Sequence, residues 1–90
     1  MKKLHIIVKG KVQGVGYRYF AYINARDMGI NGFVRNLQNG DVELVVEGDP
    51  EILAKYIDIL KSGPHSSKVE KVEVTENDSR DSNNSFKIRY

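Results

Sequence analysis

Leu4-His5-Ile6-Ile7-Val8-Lys9-Gly10-Lys11-Val12-Gln13-Gly14-Val15-Gly16-Tyr17-Arg18 changes periodicity within fifteen residues, and that change decides the fold. Leu4, Ile6 and Val8 fall on one face of an extended run, with His5, Ile7 and Lys9 on the other, which predicts a first strand. Beyond the glycines, Tyr17, Ala21, Ala25 and Met28 recur at helical spacing with Phe20 beside them. The pattern predicts a helix beginning near Arg18 and stopping at Gly29. A glycine-rich strand-to-helix turn is also a chemical signal. Glycine lets the main chain come close to a ligand, the helix N-terminus adds positive partial charge, and the Arg18 guanidinium is a planar fork matched to phosphate oxygens. The glycines alone would equally suit a plain tight turn. Their spacing fits neither standard nucleotide loop, since G-x-x-x-x-G-K-[ST] and G-x-G-x-x-G are both missing.

Outward from this stretch, residues 30–37 and 42–46 are β-type runs around Gln38-Asn39-Gly40-Asp41, whose Asn-Gly pair predicts an antiparallel hairpin. Val42, Leu44 and Val46 are expected to face the core. Asp49-Pro50-Glu51 then supplies an N-cap, a proline at the first helical position and an acidic first turn. Leu53, Tyr56, Ile57 and Leu60 form the buried stripe of this second helix, and Gly63-Pro64 ends it. A strand over 69–75, a polar loop over 76–85 and the alternation Phe86, Ile88, Tyr90 complete the chain. The order β-α-β-β-α-β plus a closing strand predicts an α+β fold, a ferredoxin-like split β-α-β sandwich: an antiparallel sheet with two helices on one face.

With 90 residues, 40% hydrophobic and 29% charged, the chain has material for one core and is expected to form a single domain over 1–90. A formal charge of +2 is too mild for a domain built to track a nucleic-acid backbone, so no nucleic-acid partner is expected. With no cysteine, disulfides, thiolate metal sites and cysteinyl-phosphate chemistry are ruled out. The apolar run after Met1-Lys2-Lys3 stops at Lys9, too short for a signal peptide or a membrane span, and the expected location is cytoplasmic. His5 and His65 lack companions at metal-ligand spacing and read as ordinary sheet and surface residues. Tyr17, Phe20 and Tyr56 read as packing groups.

Gly10-Lys11-Val12-Gln13-Gly14-Val15-Gly16-Tyr17-Arg18, followed by Gly32-Phe33-Val34-Arg35-Asn36 and the terminal Phe86-Lys87-Ile88-Arg89-Tyr90, closely resembles the diagnostic segments of the acylphosphatase family. The resemblance covers essentially the whole chain and implies one acylphosphatase-like domain. By resemblance, Gly10, Lys11, Val12, Gln13, Gly14, Val15, Gly16 and Tyr17 cradle phosphate, Arg18 is its main binding group, and Asn36 positions the attacking water. Arg18 and Asn36 are the expected catalytic residues. Phe33 stands where many members carry tryptophan, an exchange of one packing aromatic for another.

The implied reaction is hydrolysis of a small acyl phosphate to a carboxylate and inorganic phosphate, without metal or cofactor, by a monomer. The segment Asn31–Leu37 also bears a faint similarity to the aromatic strand of RNA-recognition modules. It lies before the hairpin rather than after it, which argues against that reading. A non-catalytic anion sensor, or a domain of a larger enzyme such as a carbamoyl-phosphate-handling maturation protein whose N-terminal region resembles acylphosphatase, is the other alternative. Met1 just before the first strand and Tyr90 at the last favour a free-standing enzyme.

Overall fold

The computed structural model describes residues 1–77 and 83–90. Its elements are β1 (Lys2–Lys11), α1 (Tyr17–Asp27), β2 (Asn31–Asn36), β3 (Val42–Gly48), α2 (Pro50–Ser62), β4 (Lys68–Glu76) and β5 (Phe86–Arg89). Every expected element is present, with α1 starting one residue earlier than expected. The polar loop expected over 76–85 falls largely on residues 78–82, outside the described residues.

The strands form one sheet in the order β4-β1-β3-β2-β5. β1 pairs antiparallel with β3 and β4, and β2 pairs antiparallel with β3. β5 runs parallel to β2, so the antiparallel sheet expected from the sequence carries one parallel edge and is mixed. A parallel neighbour needs a crossover, which no local pattern announces.

Strand alternation and the helical stripes meet in one core. Ile6 and Val8 of β1, Val34 of β2, and Val42, Leu44 and Val46 of β3 are fully buried. Against them pack Tyr17, Ala21 and Ala25 of α1 and Leu53, Tyr56 and Leu60 of α2, while Met28 and Ile57 are half-buried at its margin. The two buried phenols fasten the helix layer. Tyr17 donates to the Leu60 carbonyl at 2.8 Å and Tyr56 to the Ala21 carbonyl at 2.7 Å, so each helix holds a backbone oxygen of the other. Burial pushes both phenols well above their ordinary value and keeps them neutral donors. At the start of α2, Asp49 occupies the N-cap position but makes no side-chain cap. Only its carbonyl is used, accepting from Leu53 N at 2.9 Å.

The opposite face of the sheet carries charge. Glu43 on β3 accepts hydrogen bonds from His5 of β1, at 2.8 Å, and from Arg35 of β2. Burial alone would raise its carboxyl, but the hydrogen bonds and charges of His5 and Arg35 outweigh that and hold it below the usual 4.5. A depressed carboxylate contributes stability that is present above its unfolded value and lost as pH falls through the folded one. Glu43→Gln should therefore destabilise the protein at neutral pH by roughly 0.5–1 kcal/mol. Its deficit relative to the parent should shrink in acid below 4.5 when urea unfolding is compared at the two pH values.

Gly32 on β2 has φ 144°, and a Cβ there would run into the carbonyl of Val45 on β3. The close approach of β2 and β3 therefore requires glycine on two counts. Gly32→Ala is expected to cost about 3 kcal/mol or more, from backbone strain plus overpacking. An unchanged urea midpoint would contradict this account.

Candidate active site

Val8, Val42 and Asn36 stand in a row across three strands, because Val42 is the registered partner of both other residues. Strand spacing of about 4.8 Å puts Asn36 only ~10 Å from Val8. The loop leaving β1 therefore opens beside the end of β2. Alternation along β2 places Asn36 on the face of Gly32 and Val34, the face that the helices cover.

Within the loop, Val12 is buried and plugs the turn into the core. Gly14 and Gly16 have φ 74° and 78°, and a Cβ added at either meets nothing within 4 Å. Glycine is needed here for the left-handed backbone, not for space. Such residues alternating with ordinary ones turn successive amides to one side, the arrangement of an anion nest. Gly16 is also the N-cap of α1, and no side chain caps it. The first helical bond runs from Phe20 N to the Gly16 carbonyl at 3.0 Å. The amides of Tyr17, Arg18 and Tyr19 therefore have no intrahelical acceptor, and they stand at the positive end of the helix.

Arg18 lies in the first turn of α1, and the end of the chain holds it. Its Nη1 donates to the Arg89 carbonyl at 3.2 Å, and its guanidinium carbon lies 4.7 Å from the Tyr90 ring centroid. One N–H of a five-donor fork is thereby used, and the others have no acceptor among the described residues. Asn36 contributes a different feature: its Oδ1 is buried without a hydrogen-bond partner among the described residues. An unpaired buried acceptor is costly and marks a place where a donor belongs.

A cleft of about 220 Å³ joins these groups, lined by Val12, Gly14, Gly16, Tyr17, Arg18 and Asn36. That is below the ~300–1,000 Å³ typical of drug-sized ligands, which suits a compact anion. A larger cleft of about 470 Å³ lies by Tyr22 and Phe86, but its cation, Arg26, donates to the Tyr22 hydroxyl at 3.1 Å.

The expected loop residues thus divide. Gly10 and Lys11 belong to β1, paired with Val69 and Lys68 at a bulge, and a Cβ on Gly10 would meet the Lys68 carbonyl. Gln13 points its side-chain amide at the β2–β3 hairpin, and Val15 packs against the core. Tyr19, Ile88 and Tyr90 also line the cleft, and no local sequence signal places them there. The alternation of 86–90 identified a strand, but nothing in it named β2 as neighbour.

The acylphosphatase family model matches residues 4–88. The chain is 49% identical over 74 residues to the acylphosphatase of Thermus thermophilus, covering 82% of this chain and 84% of that protein. A crystal structure of acylphosphatase from Bacillus subtilis matches at 39% identity over the whole of both chains, with TM-score 0.95. The crystal structure of HypF from T. kodakarensis matches all of this chain at 33% identity and TM-score 0.88, but only over 12% of its own length. A family match over nearly every residue, with relatives and folds agreeing, means that the chain belongs to the acylphosphatase family of hydrolases.

Proposed function

We propose that the protein hydrolyses acyl phosphates, with Arg18 and the amides of the 12–18 turn holding the phosphoryl group and Asn36 holding the water. The observation that carries this reading is the convergence, in one small cleft, of an uncapped helix start, the Arg18 fork and the unpartnered Asn36 Oδ1.

The bond to be broken joins phosphorus to a carboxylate oxygen. A carboxylic leaving group has a pKa of ~4–5 and departs at neutral pH without a proton, so the site needs no general acid. Phosphoryl transfer through a loose transition state requires positioning and stabilisation of the equatorial oxygens, which converging amides and a guanidinium supply. Asn36 Oδ1 would accept a hydrogen bond from the water and align it with the scissile bond. An amide is no base, so the water's proton passes to the substrate phosphate or to solvent. Tyr17 serves through its backbone amide, because its hydroxyl is committed to Leu60. The acyl group would lie toward Tyr19 and Tyr90, the exposed aromatic rim of the cleft.

The Thermus thermophilus acylphosphatase is matched over 84% of its length and the Bacillus subtilis structure over all of it, which supports reading 1–90 as a single acylphosphatase-like unit. Among the described residues no helix is long and apolar enough to cross a membrane. A cytoplasmic monomer acting on small molecules is the setting we propose.

The test is hydrolysis of benzoyl phosphate with EDTA present. Arg18→Ala should lose ~10²–10³ in turnover and also bind phosphate more weakly, since each charged hydrogen bond contributes about 1.5–3 kcal/mol. Arg18→Lys should fail similarly, because a point charge cannot replace a bidentate fork. Asn36→Ala should lower turnover with much less effect on inhibition by inorganic phosphate. Full turnover in either alanine variant would remove that residue's role, and no turnover by the folded parent would leave a phosphate-binding module.

A further inference from the structure

The phosphate cradle and the water-positioning residue come from separate parts of the chain, the β1–α1 turn and the end of β2. Main-chain pairing brings them near each other, but the loop itself leaves the sheet after Lys11, so something else must fix the gap between loop and hairpin. The side chain of Gln13 spans it. Its Nε2 donates to the Leu37 carbonyl at 2.7 Å and to the Asp41 carbonyl at 2.8 Å, committing both of its protons. Leu37 directly follows Asn36, and Asp41 directly precedes Val42, the registered partner of Asn36. The two carbonyls therefore bracket the strand pair that carries Asn36.

Both carbonyls already serve the hairpin. The Asp41 carbonyl accepts from Leu37 N at 2.9 Å, and the Leu37 carbonyl accepts from Gly40 N at 3.2 Å. Gln13 supplies the second donor to each, so the loop-to-hairpin contact completes the hydrogen bonding of the turn. Asn36 Oδ1, by contrast, has no donor among the described residues to orient it. Its position follows its backbone, and Gln13 ties that backbone at Leu37, the residue after it, and at Asp41, the residue before its registered partner.

We infer that Gln13 is a positioning residue whose side-chain amide locks the phosphate cradle to the β2–β3 hairpin and sets the distance from bound phosphate to the water on Asn36. This rests on the water-positioning role proposed for Asn36. The strut acts through Asn36, so its loss is felt in turnover while phosphate is still gathered by Arg18 and the loop amides. A displacement on the order of 1 Å at the reacting atoms can cost up to ~10²-fold.

The experiment is a double-mutant cycle read in kcat and KM for benzoyl phosphate and in the inhibition constant of inorganic phosphate. It uses Gln13→Ala, Asn36→Ala and the double variant, with circular dichroism confirming the fold. Gln13→Ala should lower kcat ~10-fold or more while phosphate inhibition changes little, and in the Asn36→Ala background it should lower kcat no further. The isosteric Gln13→Glu, which faces two carbonyls with a carboxylate and has no proton to give, should show the same loss and serves if the truncation does not fold. Equal losses in both backgrounds, or a loss explained by weaker phosphate inhibition, would overturn the strut. Full turnover by Asn36→Ala would instead refute the water-positioning role itself, so the two failures are told apart.

Discussion

Val42 is the registered partner of both Val8 and Asn36, and the site depends on that shared register. One strand, β3, thereby decides where the loop after β1 opens and where β2 ends. Strand side chains alternate with a period of two, so slipping either pairing by one residue would reverse a whole face. Asn36 would then turn to the open side of the sheet, away from Arg18. The register is held strongly because Ile6, Val8, Leu44 and Val46 lose all contact with water only in this alignment.

The groups proposed as catalytic sit on elements that also hold the fold. The loop begins with Val12, a core residue, and ends in Tyr17, whose ring is core and whose hydroxyl ties α1 to α2. Between them lie the two left-handed glycines, where an added Cβ would meet no atom of the described residues within 4 Å. The pattern fixes a short turn at both ends, as the phosphate cradle we propose requires. Arg18 is held more lightly, by one carbonyl and one aromatic face of the last two residues. With a net charge of +2 on the whole chain, the anion attraction we propose would be a property of this cleft rather than of a general positive field.

The strands, helices and turns were legible in the sequence because each has its own local cause. β1 and β3 alternate, α1 and α2 carry apolar stripes, and Pro50 and Gly63 bracket the second helix. Gly14, Gly16 and Arg18 stood out as a glycine-rich turn with a guanidinium and Asn36 through motif resemblance alone, and the four line one cleft. What escaped was long-range. Nothing in Phe86–Arg89 indicates a parallel pairing with β2, so the closeness of Ile88 and Tyr90 to Arg18 could not be foreseen. Gly10 looked like part of the loop, but it belongs to a bulge against β4, where its missing Cβ admits the Lys68 carbonyl. Gln13 reads from the sequence only as part of the cradle, but its side-chain amide also reaches 24 and 28 positions along the chain, a contact visible only in three dimensions.

The central claim is that the amides of the β1–α1 turn, with Arg18, are where phosphate binds. Titration of inorganic phosphate into the isotopically labelled protein, followed by amide NMR shifts, tests it most directly. The account predicts that the largest saturable shifts fall on Gly14 through Tyr19 and the Arg18 guanidinium, with a smaller response at Asn36. Shifts centred instead on the cleft beside Tyr22 and Arg26, or no saturable response from the turn, would contradict it.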